Sequence, residues 1–169
     1  MIGEFSLDWA RGNRLPIALV DVDGVLFDHH HRLHLITKSN STPEDRAEYN
    51  NLATLDTPLP FLRVISMLWY TPMQIVFLSA RPNTPGQHHI FRSCMGDSLP
   101  EAVLQSDRMA LHFKDVAAYG HGATASTKFK QDFVEMLRAN NLDILFAVDD
   151  SDHQIEMYRR LGVCALHYR

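Results

Sequence analysis

Two pairs of carboxylates stand where chemistry could be done. Asp21 and Asp23 follow the apolar run Ile17-Ala18-Leu19-Val20, with Gly24 directly after them. Asp149 and Asp150 follow a second run, Leu145-Phe146-Ala147-Val148. Continuous apolar runs of this length read as strands buried on both faces, the kind that parallel sheets use. Alternation along a strand sends Asp21 and Asp23 roughly the same way while Val22 points to the core. In open α/β sheets, ligands sit beyond the carboxyl ends of the strands. Paired acids there are costly unless a cation or a reaction needs them. They suit a hard cation such as Mg²⁺, with one carboxylate free to attack phosphorus. Asp and Gly are also ordinary turn residues. Two widely separated strands that both end in acid pairs are hard to explain by turn chemistry alone.

Further groups could complete such a site. Ile75-Val76-Phe77-Leu78 runs into Ser79-Ala80-Arg81. A serine at a strand tip offers a hydroxyl and a backbone N–H to a phosphate oxygen, and arginine adds a bidentate fork. Lys128 and Lys130 fall in the first turn of a helix predicted from Thr127 to Ala139, where cations oppose the helix dipole. A lysine there beside the aspartates would offset their repulsion. His29, His30, His31 and His34 raise the question of a Zn²⁺ or Ni²⁺ module. In a strand or loop, adjacent histidines point opposite ways, so a solvated, substrate-facing loop is expected instead.

The elements that must position these groups read as alternating strands and helices. Residues 1–15 form a polar lead-in without a period. Residues 36–57, including Lys38-Ser39-Asn40, are loop-like apart from a short helix from Pro43 to about Leu52 that Ser41 or Thr42 would cap. Thr57-Pro58 is expected to start a helix carrying Phe61, Leu62, Ile65, Leu68 and Trp69. Residues 87–95 read as a helix, Ser98-Leu99-Pro100-Glu101 as a capping box, and Met109–Phe113 as a strand. Gly120–Ala125 reads as a loop, Ser151–Gln154 as a second capping box, and Val163–His167 as a short edge strand. The expected fold is α/β, a Rossmann-like parallel sheet flanked by helices. One domain over 1–169 is expected, with a small cap inserted at about 28–57.

Composition narrows the partners. The chain of 169 residues has a formal net charge of −4. Proteins that hold long nucleic acid usually carry a basic excess, so a small substrate or the end of a strand is favoured. No apolar run approaches the ~20 residues that span a bilayer, and no signal-peptide pattern opens the chain. Two cysteines, Cys94 and Cys164, make no disulfide framework. A soluble, cytoplasmic protein is expected, with no membrane partner; nothing in the sequence fixes its oligomeric state.

With these stretches in view, the chain resembles the haloacid dehalogenase (HAD) superfamily of phosphohydrolases from about Ile17 onward. Within it, the chain is most similar to the 3′-phosphatase domain of phage polynucleotide kinase-phosphatase. The residues that carry this are Ile75 to Arg81, and Ala147-Val148-Asp149-Asp150-Ser151 continuing through Ile155 to Val163. The resemblance implies Asp21 as the nucleophile that forms an aspartyl-phosphate, and Asp23 as general acid and then base. It implies Lys130, not Lys128, as the catalytic lysine, by gapless counting back from Asp149. Mg²⁺ would be held by Asp21, the backbone carbonyl of Asp23, and Asp149 with Asp150 in support. Ser79, Ala80 and Arg81 would bind the phosphoryl group, and Arg32 matches another arginine of that site. Arg32 and Arg81 are expected to overhang the sheet on loops and to reach a second phosphate. Val25 stands where threonine is commoner, Ser126 where an acid is expected, and no kinase motif is present. The implied activity is a Mg²⁺-dependent phosphomonoester hydrolase acting on a nucleotide or a polynucleotide 3′-phosphate end. The alternatives are a phosphatase of free mononucleotides or other small esters, and a non-catalytic phosphate-binding module.

Overall fold

In the computed structural model, residues 2–37 and 41–169 are described; the loop expected at Lys38-Ser39-Asn40 lies outside them. The chain opens with β1 (Gly3–Glu4) and α1 (Leu7–Asn13), then β2 (Ile17–Val20). The inserted stretch follows: β3 (Phe27–Asp28), α2 (His30–Thr37), α3 (Pro43–Asn51), a 3-10 turn at Leu52–Leu55, and β4 (Thr57–Pro58). Next come α4 (Phe61–Leu68), β5 (Gln74–Pro82), α5 (Pro85–Gly96), α6 (Glu101–Leu104), β6 (Met109–Lys114) and α7 (Val116–Tyr119). The chain closes with α8 (Ala123–Ala139), β7 (Ile144–Asp149), α9 (Asp152–Arg160) and β8 (Ala165–His167).

Six strands form one sheet in the order β1-β6-β5-β2-β7-β8, and every neighbouring pair is parallel. Alternation along the strands feeds two cores, one on each face. Ile17 and Leu19 of β2 and Val76 and Leu78 of β5 pack with Phe129, Phe133 and Leu137 of α8 and Met157 and Tyr158 of α9. Val20, Ile75 and Phe77 face the other way, against Leu62 and Ile65 of α4 and Phe91 and Met95 of α5. Double-sided burial is why these strands read as unbroken apolar runs. The second sheet is a two-stranded antiparallel ribbon in which Phe27 pairs Pro58 and Asp28 pairs Thr57.

Several local expectations are corrected. The lead-in holds β1 and α1, with Ser6 accepting from the Trp9 N–H as N-cap. Thr57-Pro58 is an edge of the ribbon rather than a helix start, and α4 begins at Phe61. Neither Ser98 nor Ser151 caps a helix with its side chain: the Ser98 hydroxyl donates to the Cys94 carbonyl, and α9 begins without a side-chain cap. By contrast Thr42 and Asp45 form a reciprocal capping box at α3. The histidine cluster lies mostly on α2, not in a strand or loop. Finally α8 starts at Ala123, so Lys128 and Lys130 sit beyond its first turn and the dipole argument for them lapses.

Candidate active site

Three adjacent strands, β5, β2 and β7, deliver the site. The Asp21 N–H donates to the Val148 carbonyl at 2.9 Å, which extends the β2–β7 ladder one step past the strand and sets Asp21 beside Asp149. After Asp23 the chain turns sharply. Gly24 has φ +83°, and a Cβ placed on it would lie 2.0 Å from Asp150 Oδ2. Only glycine meets both demands, a left-handed backbone and a carboxylate pressed against it.

The carboxylates divide into two groups. In the first, the Lys130 ammonium donates to Asp149 Oδ2 at 2.7 Å and lies 2.9 Å from Asp21 Oδ1. Asp149 Oδ1 accepts the Ser151 N–H at 3.1 Å. Asp21, Asp149 and Asp150 each bring a carboxylate oxygen within 4.8 Å of the others. Burial, and then the charges of Asp149, Asp150 and Asp23, raise the Asp21 carboxyl well above its ordinary range despite Lys130. Three carboxylates thus face one ammonium. Lys128 is elsewhere, exposed and paired with Asp132 on the outer side of α8.

In the second group, Asp23 turns away from that cluster. Arg81 Nη2 and Arg32 Nη2 donate to Asp23 Oδ1 at 2.7 and 2.6 Å, and both also donate to Asp56 Oδ2. Burial alone would raise Asp23, but Arg81, the nearby His29 and Arg32 hold it well below the usual carboxylate range. Two arginines and two aspartates form a buried, charge-balanced square.

Arg32 is not on a loop overhanging the sheet. It sits on α2, fully buried, with its remaining donors on Asp56 Oδ1 and the Tyr49 carbonyl and its guanidinium 4.0 Å from the centre of the Tyr49 ring. Arg81 is likewise 3% exposed. Ser79 is fully buried, and its hydroxyl accepts the Arg81 N–H at 3.2 Å. Ala80 and Arg81 line the cleft above the site, a space of about 780 Å³. Of the histidines, His29 lines that cleft, with Nδ1 3.8 Å from Asp23 Oδ1, while His30 pairs with Asp28. Among the described residues, no group of histidines meets as metal ligands.

Sequence reasoning missed Asp56, which sits in the stretch read as loop-like before Thr57-Pro58. It also missed Lys114, Arg46 and His121, which line the same cleft from β6, α3 and the α7–α8 connection. No pattern marked them: Arg46 and His121 are single residues in polar stretches, and Lys114 closes a mostly apolar strand as an ordinary surface lysine would.

The strand order and the acid-bearing strand ends define a parallel, Rossmann-like α/β sheet with the candidate site at its carboxyl edge. No protein-family model matches the chain, and no curated protein matches it in sequence. Solved structures do. A chain of the Pnkp1/Rnl/Hen1 complex aligns with a TM-score of 0.61 at 20% identity, over 90% of this chain and 46% of that one. A second structure, of the Pnkp1/Rnl/Hen1 RNA repair complex, gives 0.58 at 17% identity, over 99% and 45%. A haloacid dehalogenase-like hydrolase from Streptococcus pneumoniae gives 0.54 at 11% identity, over 91% and 84%. The chain has the HAD-type, Rossmann-like fold. It spans less than half the length of the RNA-repair chains it matches.

Proposed function

We propose that this protein is a Mg²⁺-dependent phosphomonoesterase acting through an aspartyl-phosphate on Asp21, with a nucleotide or nucleic-acid 3′-phosphate end as substrate. The observation that carries it is the gathering of Asp21, Asp149 and Asp150 at the carboxyl edge of a parallel sheet, with the Lys130 ammonium on the first two. The chain's likeness in fold to a member of an RNA repair complex supports the choice of a nucleic-acid end.

The residues fit a hard divalent cation. The donors are all oxygens, and Asp21, raised first by burial and then by the neighbouring carboxylates, would be held ionised by a positive ion beside it. Asp21 and Asp150 would hold Mg²⁺ with the backbone carbonyl of Asp23. Asp149, with both oxygens already taken by Lys130 and Ser151, supports from behind. Bound there, Mg²⁺ would shield the phosphoryl charge from the carboxylates.

Asp21 attacks phosphorus, and the ester oxygen leaves with a proton from Asp23. Lys130 keeps Asp21 aimed and offsets its charge. The Asp23 acid role needs a rearrangement, since Arg32 and Arg81 hold its carboxylate ionised. An entering phosphoryl group would draw Arg81 from Asp23 to its own oxygens. With that partner gone, Asp23 rises toward the range of a proton donor. Asp56 keeps a hydrogen bond on Arg81 and so limits how far it swings. Water then attacks the aspartyl-phosphate with Asp23, now ionised, as base.

The test is a panel of phosphomonoesters, 3′-phosphorylated oligonucleotides and mononucleotides included, assayed with Mg²⁺ and with EDTA. Mg²⁺-dependent phosphate release that Asp21→Asn abolishes while its circular dichroism stays unchanged is the expected result. Asp21→Asn activity within tenfold of wild type would overturn the covalent mechanism.

A further inference from the structure

Two cations and a histidine in the cleft take no part in the chemistry above. Lys114 ends β6 and is 3% exposed, yet among the described residues no carboxylate pairs with its ammonium. Burial alone lowers its pKa. Arg46 of α3 donates Nη1 to the Ser41 carbonyl at 2.7 Å, but its Nε is buried without an acceptor, and the Ser41 hydroxyl is buried without a partner beside it. His121 stands in the connection to α8. Burial, and then the positive charges of Arg46 and Lys114, lower its pKa, which favours the neutral imidazole, a hydrogen-bond donor to an anion rather than a charge. All three line the cleft above Asp21.

A lysine enclosed along its stem, with its ammonium opening into a cleft and no carboxylate beside it, is a ready partner for an anion. So is a buried guanidinium donor without an acceptor. Such groups gathered on a chain of net charge −4 call for an anion. Their place is set by the sheet: β6 lies two strands from β2, across β5. At about 4.8 Å per strand, Lys114 is displaced sideways from Asp21 by about 10 Å. That is too far for a phosphoryl group held at Asp21 and within reach of a group linked to it through a sugar. Of the arginines expected to take a second phosphate, Arg32 is held on Asp23 and Asp56, and Arg81, paired with the same two acids, is the one the scissile phosphoryl group would draw.

We infer that Lys114, Arg46 and His121 form a second anion subsite that holds the phosphodiester next to the scissile phosphate, so that the substrate is a strand end of at least two nucleotides. This rests on the phosphomonoesterase reading of the Asp21 site and adds the substrate's minimum length. Lys114 supplies a point charge from the floor of the cleft, and Arg46 closes over the phosphate from the inserted stretch. Holding the neighbouring phosphate fixes the terminal one against Asp21, which lowers KM and aligns the ester for attack.

The test uses the whole chain with three esters: p-nitrophenyl phosphate, thymidine 3′-monophosphate and the dinucleotide TpT 3′-phosphate. Wild type should favour the dinucleotide by at least about tenfold in kcat/KM. Lys114→Met and Arg46→Gln should each lower kcat/KM for the dinucleotide by about 10- to 100-fold, the scale of a charge-assisted hydrogen bond, and leave p-nitrophenyl phosphate within about twofold. Lys114→Met should melt close to the wild-type temperature, since its ammonium opens into the cleft and holds no carboxylate. Equal loss on all three esters, no loss on any, no preference for the dinucleotide, or a much lower melting temperature would each overturn the subsite. If wild type hydrolyses none of the esters, the phosphomonoesterase reading fails by itself. The subsite is then read by fluorescence anisotropy with a labelled oligothymidylate ending in a 3′-hydroxyl. Binding that Lys114→Met weakens about tenfold, with a shallower salt dependence, supports it; equal binding by both proteins overturns it.

Discussion

Lys130 and Lys128 show how two like residues, two positions apart, receive opposite fates. A spacing of two on a helix turns the side chain by about 200°, so one lysine faces the sheet edge while the other faces water. Lys130 is enclosed by Asp21 and Asp149, and Lys128 is fastened to Asp132 outside. Lys130→Ala should therefore lower turnover by about 10²–10³-fold, the cost of one preorganised charge partner, and Lys128→Ala by less than about twofold. Steady-state kinetics on any ester that wild type accepts will decide; the reverse pattern would mean that α8 enters the site in another phase. The position of Lys130 was legible because counting back from Asp149 needed no gap. Asp56 was not legible. Its role depends on being brought under two arginines by the ribbon and α2, and nothing local to Leu55-Asp56-Thr57-Pro58 announces a buried ion pair.

At the scale of elements, the apolar runs were the clearest signal and the short or polar pieces the weakest. β2, β5, β6 and β7 lie where unbroken hydrophobic stretches place them, because each is covered on both faces. β1 and α1 escaped notice because a two-residue strand and one seven-residue helix carry too little periodicity to read. α2 was hidden by composition: four of the residues from 29 to 34 are histidines, and its one deeply buried polar contact is made by Arg32. The turn after β2 makes its own prediction. Gly24→Ala would put a methyl group into Asp150 Oδ2 and force a left-handed backbone on alanine. Mg²⁺-dependent activity should fall at least about tenfold, and the metal concentration for half-maximal activity should rise. Wild-type metal dependence in Gly24→Ala would show that Asp150 can move aside and is no ligand.

For the whole molecule, the acid limb of stability is set in part far from the site. His112 of β6 stacks on Phe129 and Phe133, ring centroids 5.4 and 4.5 Å away, and meets Phe5 edge-on. Burial pushes its pKa down to about 4. Unfolded, the same imidazole titrates near 6.5, so between those values the unfolded chain binds more protons than the folded one. Stability must then fall as pH drops from about 6.5 to about 4, by an amount on the order of 3 kcal/mol, and level off below. His112→Leu should flatten that limb in a thermal-melt series from pH 7 to pH 4; an unchanged slope would place the loss in other groups.

Asp21 and Asp149 come from strands that are sheet neighbours but lie at opposite ends of the chain's length. β2 is made early, yet it has only β5 beside it until β7, near the other terminus, docks on its free side. Closing so long a loop is the slow, entropically costly kind of event in folding. Until it happens Asp21 has neither the Lys130–Asp149 pair nor a cation to share with it. A partly assembled chain can hold helices and half a sheet and still be chemically silent. The proposed catalysis would therefore be a readout of completed long-range topology: activity regained on refolding should trail the return of helical signal.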